Sequence, residues 1–207
     1  MPIVVSNSGT GGILPGEVFN IVQNGYGNTK NKTLTVGIND LIIVTNNTSN
    51  TWSADLTTQI SSGATLIYSF TPRPSGVGTG VGIWKATSTS VTINFLKGQY
   101  GYGVYRNSIY SNIVYKSSGT NKTSSTTVDL SSNVTKGDIL IAAYSLSGTT
   151  VTPWQLNLTG VSSRGDFITR APGADGASMT ILGVISDSTV IYKTPAGTGG
   201  YAIFSVN

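Results

Sequence analysis

The chain carries one pattern twice. Asn20-Ile21-Val22, then Gly27, Thr29, Lys30 and Thr35-Val36, return as Asn112-Ile113-Val114, Gly119, Lys122 and Thr127-Val128. Asn39-Asp40-Leu41-Ile42-Ile43 returns as Gly137-Asp138-Ile139-Leu140-Ile141, and Tyr102-Gly103-Val104-Tyr105 as Tyr201-Ala202-Ile203-Phe204. The spacing drifts from 92 (Asn20 to Asn112) to 99 (Tyr102 to Tyr201), which one short insertion before Asp138 explains. Order, turn chemistry and strand pattern all recur, so a tandem duplication is expected. It divides the 207 residues into an arm over 1–16, a module over 17–107 and a second over 108–207. A small fold set beside its copy suits architecture or binding better than a single catalytic centre.

Within each module the apolar residues come in short runs. Strands are expected at 17–23, 32–36, 40–45, 64–70, 81–87, 90–95 and 100–106. In the second module they are expected at 109–116, 123–130, 138–145, 154–159, 165–170, 178–185, 188–192 and 199–206. Thr33-Leu34-Thr35-Val36 and Val91-Thr92-Ile93-Asn94-Phe95 alternate with period two, as half-buried strands do. Leu41-Ile42-Ile43-Val44 is continuous, short and β-branched, which fits a central strand covered on both faces. Turn-forming Gly, Asn, Ser and Thr break the runs every eight to twelve residues or so, the rhythm of a sandwich or barrel. No window has helical periodicity. The fold expected is all-β: two tandem antiparallel, jelly-roll-like β-sandwiches behind an extended N-terminal arm.

Composition narrows the function. Charged residues make up 10% of the chain, against about 25% in an average soluble domain. The net charge is +4, and its twelve Lys and Arg are scattered, so no stripe matches a nucleic-acid backbone. With no Cys and no His, thiolate and imidazole chemistry are both excluded, including a Ser-His-Asp triad. No apolar run reaches the ~18 residues of a membrane-spanning helix, so neither nucleic acid nor membrane is an expected partner. Met1-Pro2-Ile3-Val4-Val5-Ser6 lacks a basic, apolar export leader, so release by lysis is expected.

The polar candidates read mainly as structure. Asp40 and Asp138 precede matched apolar strands, where a short carboxylate bonds backbone N–H groups of the entering turn. Asp166 and Asp175 flank a Gly-Pro turn region but lack the aromatic surroundings of a glycosidase pair. Gly76, Gly78, Gly80 and Gly82 read as a flexible hairpin, not a phosphate loop, because no Lys-Ser/Thr follows. Arg164-Gly165-Asp166 is a chance tripeptide. The sequons at Asn31, Asn46, Asn47, Asn121, Asn133 and Asn157 follow from composition, and no glycans are expected. No catalytic, cofactor-binding or metal residues are expected, and no cofactor.

Two groups qualify for binding. Ile3, Val4 and Val5 in the arm suit strand addition to a neighbour's sheet edge. Tyr100, Tyr102 and Tyr105, with Tyr110 and Tyr115, cluster around the junction, where their rings suit packing between the modules first and a partner surface second. Trp52 and Trp154, in matched loops, are the candidates for stacking on a sugar ring.

Gly137-Asp138-Ile139-Leu140-Ile141, the loop with Pro153-Trp154, the strand from Ser178 to Val184 and the closing Tyr201-Ala202-Ile203-Phe204 resemble the jelly-roll-like sandwich modules of bacteriophage virion proteins. These follow a pattern of Gly-Asp-Leu-Leu-Val, then Pro-x-Gly-Trp, then the last hairpin. The likeness covers most of the second module and part of the first, where Asn39 replaces the Gly and Trp52 lacks the Pro. It implies a non-enzymatic structural role on the virion, as an accessory capsid protein that decorates or cements the shell. Expected partners are the major capsid protein or other virion proteins and further copies of the chain, as a homo-oligomer. A tail adhesin that recognises host surface glycan and a donor-strand filament subunit are the alternatives.

Overall fold

A computed structural model of the chain describes residues 20–27, 31–48, 60–73, 78–94, 99–106, 112–123, 127–145, 157–168, 178–186, 189–193 and 198–206. The expected arm, with Ile3, Val4 and Val5, lies outside the described residues, as do Trp52 and Trp154.

The first half contains β1 (Asn20–Gly27), β2 (Lys32–Thr35), β3 (Leu41–Thr48), β4 (Ile60–Ser62), β5 (Ala64–Arg73), β6 (Gly78–Ala86), β7 (Ser90–Ile93) and β8 (Gln99–Arg106). The second contains β9 (Ile113–Thr123), β10 (Thr127–Asp129), β11 (Ile139–Ser145), β12 (Asn157–Thr159), β13 (Val161–Ile168), β14 (Ser178–Ile185), β15 (Ile191–Lys193) and β16 (Thr198–Val206). The first half forms a sheet in the order β1-β8-β3-β6-β5 and a smaller one in the order β2-β7-β4. The second forms β9-β16-β11-β14-β13 and β10-β15-β12, the same two orders moved eight strands along the chain. All pairings are antiparallel. Pairing first with eighth, second with seventh and third with sixth is the wrapped hairpin of a jelly roll.

The wrap turns its corner at a glycine. Gly63 (φ 81°) separates β4 from β5, and Gly160 (φ 75°) separates β12 from β13. Both are in the left-handed region that glycine adopts without steric cost. A Cβ at Gly63 would also strike the Ser90 carbonyl, and one at Gly160 the Thr189 carbonyl.

Among the described residues, three apolar layers hold four sheets in a stack. Leu34, Ile42, Val44, Trp84, Val91, Ile93, Tyr102 and Val104 fill the first sandwich. Leu130, Leu140, Ala142, Tyr144, Ile185, Val190 and Ile203 fill the second. The third layer lies between the large sheets, where Leu41, Ile43, Phe70, Val81, Ile83 and Tyr105 meet Ile113, Ile139, Ile141, Ala143, Ala202 and Phe204. The continuous run of β3 is now explained. Side chains alternate across a strand, so Ile42 and Val44 enter their own sandwich while Leu41 and Ile43 face the other half. In this middle layer β5 packs on β9 and β1 on β13. Exchanging the halves turns one contact into the other, so the large sheets meet about an approximate two-fold axis.

Several details depart from the sequence reading. The register of β1 on β8 and of β9 on β16 matches Ile21 with Tyr115 and Gly25 with Gly119, a spacing of 94 residues, not the 92 that Asn20 and Asn112 suggest. β9 runs on to Thr123 through residues expected to separate two strands. β4 was not expected, being only three residues long. The glycine-rich segment is a strand from Gly78 onward, with the Trp84 indole lying over Gly82, where any Cβ would collide with the ring.

Candidate functional site

Among the described residues, the charged groups that the fold buries sit at one repeated turn. In the first half Asn39 takes φ 69°, and in the second Gly137 takes φ 93°. Asn is one of the few side-chain-bearing residues that tolerate this region, which accounts for its replacing the Gly. Asn39 N–H donates to the Ala86 carbonyl and Gly137 N–H to the Ile185 carbonyl, each at 2.9 Å. Asp40 and Asp138 follow, both nearly fully buried.

Their carboxylates close the turn as expected. Asp40 Oδ2 accepts from Gly37 N–H at 2.5 Å, and Asp138 Oδ2 accepts from Thr135 N–H at 2.8 Å. Each also holds a cation the sequence reading did not assign. Arg106 donates Nε to Asp40 Oδ1 at 2.9 Å and Nη2 to Oδ2 at 2.8 Å, a bidentate fork. This pairing raises the guanidinium further above its ordinary pKa, first by the hydrogen bonds and then by charge attraction. Lys116 Nζ reaches Asp138 Oδ2 at 2.5 Å. A carboxylate with a backbone donor and a cation already bound is poorly placed to take a proton from a substrate. Its geometry is that of a turn lock. The signal that could have found the cations is faint: one basic residue closes β8 and one lies early in β9.

The remaining candidates scatter. Asp129, exposed at the end of β10, has its pKa lowered by hydrogen bonds from the Ser131 hydroxyl and N–H. Asp166 lies in β13, while Asp175 is outside the described residues. Among the described residues no group of three or more His, Cys, Asp or Glu side chains could hold a metal ion. Arg164-Gly165-Asp166 runs through a bulge of β13. Of the sequons, Asn46 is buried, while Asn31 and Asn133 are exposed.

The tyrosine candidates divide. Tyr100 and Tyr102 are buried in the first sandwich and Tyr105 in the middle layer, so the fold itself uses all three rings. The Tyr102 ring covers Gly25 of the neighbouring strand, and the Tyr201 ring covers Gly119 in the same way. Burial raises the pKa of Tyr100, Tyr102 and Tyr201. Exposed apolar side chains lie elsewhere, at Val22, Ile38, Val114 and Tyr115. Tyr115 stacks on Tyr68 of the other half, a contact with no precedent in the sequence repeat.

Comparison with protein-family models, curated proteins and solved structures finds no match for this chain.

Proposed function

We propose that this chain is a non-enzymatic structural protein of a bacteriophage virion, an accessory capsid protein that decorates or cements the shell. The observation that carries the reading is the fate of Asp40 and Asp138. Both are held by the same turn and each is matched by a cation, so the duplicated carboxylates serve the fold. The middle layer adds support. It fills the space between the halves with aliphatic and aromatic side chains, leaving the outer sheets and loops for partners. The resemblance to virion sandwich modules supplies the setting. Partners are the major capsid protein or other virion proteins and further copies of the chain.

A binding experiment tests this. Shells lacking the protein are mixed with the purified chain, sedimented, and imaged. The expected result is regular, salt-resistant decoration that is lost when residues 2–12 are deleted. No association with particles, or a specific cell-surface glycan bound through Trp52 or Trp154, would overturn the reading, the latter in favour of a tail adhesin.

A further inference from the structure

Tyr68 of β5 and Tyr115 of β9 lie across the boundary between the halves. Their ring centroids are 3.9 Å apart and their planes differ by 17°. Both phenol oxygens share one partner, Ser118 Oγ, at 2.7 Å from Tyr68 and 3.1 Å from Tyr115. That common partner brings the two hydroxyl ends together, so the stack is parallel as well as close. Phe204 meets both rings edge-on and limits their drift. Tyr115 is 37% exposed and Tyr68 half-buried, so solvent-borne species reach the pair. The repeated plan does not call for it: by strand register, the matching positions are Gly165 for Tyr68 and Ile21 for Tyr115.

The geometry points to a modification site: Tyr68 and Tyr115 are placed for oxidative coupling to a dityrosine that joins the two halves covalently. A one-electron oxidant, such as a peroxidase working on hydrogen peroxide, removes one electron and one hydroxyl proton from each phenol. Unpaired spin then resides partly on the carbons ortho to each oxygen. A carbon–carbon bond forms between two ortho positions, and the ortho hydrogens move to the oxygens, restoring both hydroxyls. In total two electrons and two protons leave, and one peroxide becomes two waters. Two tyrosyl radicals on separate molecules must diffuse together, whereas here the second ring is already in contact. With no Cys in the chain, no disulfide competes for this role.

The test is to treat the native protein, at low concentration, with peroxidase and hydrogen peroxide. The expected product is a monomer lighter by two hydrogens, with dityrosine fluorescence and one cross-link joining the tryptic peptides that carry Tyr68 and Tyr115. Tyr115→Phe keeps the stack and should abolish the product. Its near-ultraviolet circular dichroism reports that it still folds, and Tyr68→Phe gives an independent second loss. Two results would overturn the proposal. One is no intramolecular product under conditions that couple a free tyrosine peptide. The other is a product of equal yield in both Phe variants.

Discussion

Asp40 draws its cation from Arg106, at the end of β8, whereas Asp138 draws its cation from Lys116, at the bulge of β9. These are not equivalent positions. By register the counterpart of Arg106 is Ser205, and the counterpart of Lys116 is Val22, at the bulge of β1. The fold therefore fixes the need, a buried carboxylate to be neutralised, and leaves open which strand meets it. A transplant follows. Arg106→Ser leaves the Asp40 carboxylate without its cation, and thermal unfolding should shift down by a few degrees, since a buried charge that loses its partner is costly. Adding Val22→Lys to that variant puts an ammonium where the second half has one, and should recover more than half of the loss. Val22→Lys in the wild-type background should change little. If the double variant is no more stable than Arg106→Ser alone, the two turns are not interchangeable. The matched Asp residues and their turn role were legible from the sequence. Their cations were not, because the repeat pairs residues by order along the chain while the ion pairs run between different strands.

The same exchange appears in the cores. Asn46 of β3 lies beside Tyr100 of β8, and their counterparts in the second half are Tyr144 of β11 beside Gly199 of β16. One large ring fills each place, supplied by the central strand in one half and by its neighbour in the other. Asn46 Oδ1 is buried without a hydrogen-bond partner, a cost that the second half avoids. Asn46→Tyr alone should overpack the site by about 1–3 kcal/mol. Tyr100→Gly alone should lose about 3–5 kcal/mol through the cavity it leaves. Carried together they rebuild the arrangement of Tyr144 and Gly199, so urea unfolding should show the double variant costing clearly less than the sum of the singles. Simple additivity would show that the two positions do not share one space. Such exchanges preserve volume while erasing identity, which is why β3 and β11, and β8 and β16, were readable as siblings only over part of their length. Leu41-Ile42-Ile43-Val44 announced a strand covered on both faces, yet hydropathy cannot say that the second cover is the other half. β4 escaped notice because three residues carry almost no periodicity, although Gly63 matches Gly160.

At the scale of the molecule, stability is divided among three apolar layers, and the titratable groups near them decide its pH range. The chain has no His and no Cys, so no side chain with an ordinary pKa near neutrality is present to tie folding to pH there. The alkaline side is different. Tyr100 and Tyr102 in the first sandwich, Tyr201 in the second and Tyr68 at the middle layer all have raised pKa values, in each case first from burial of the phenol. A raised phenol pKa means that the folded chain holds its proton to higher pH than the unfolded chain does. The corresponding stability is complete below the unfolded pKa, about 10, and drains away as pH rises from there through the folded values. Urea midpoints should therefore be level from roughly pH 6 to 9 and fall steeply above about pH 10. Tyrosinate absorbance should appear together with loss of the β-sheet circular dichroism rather than before it. Tyr102→Phe and Tyr201→Phe remove one raised group from each half and should shift the alkaline midpoint upward. A steep fall near pH 7, or tyrosines that ionise fully while the sheets remain intact, would show that burial of these rings does not govern the alkaline limit.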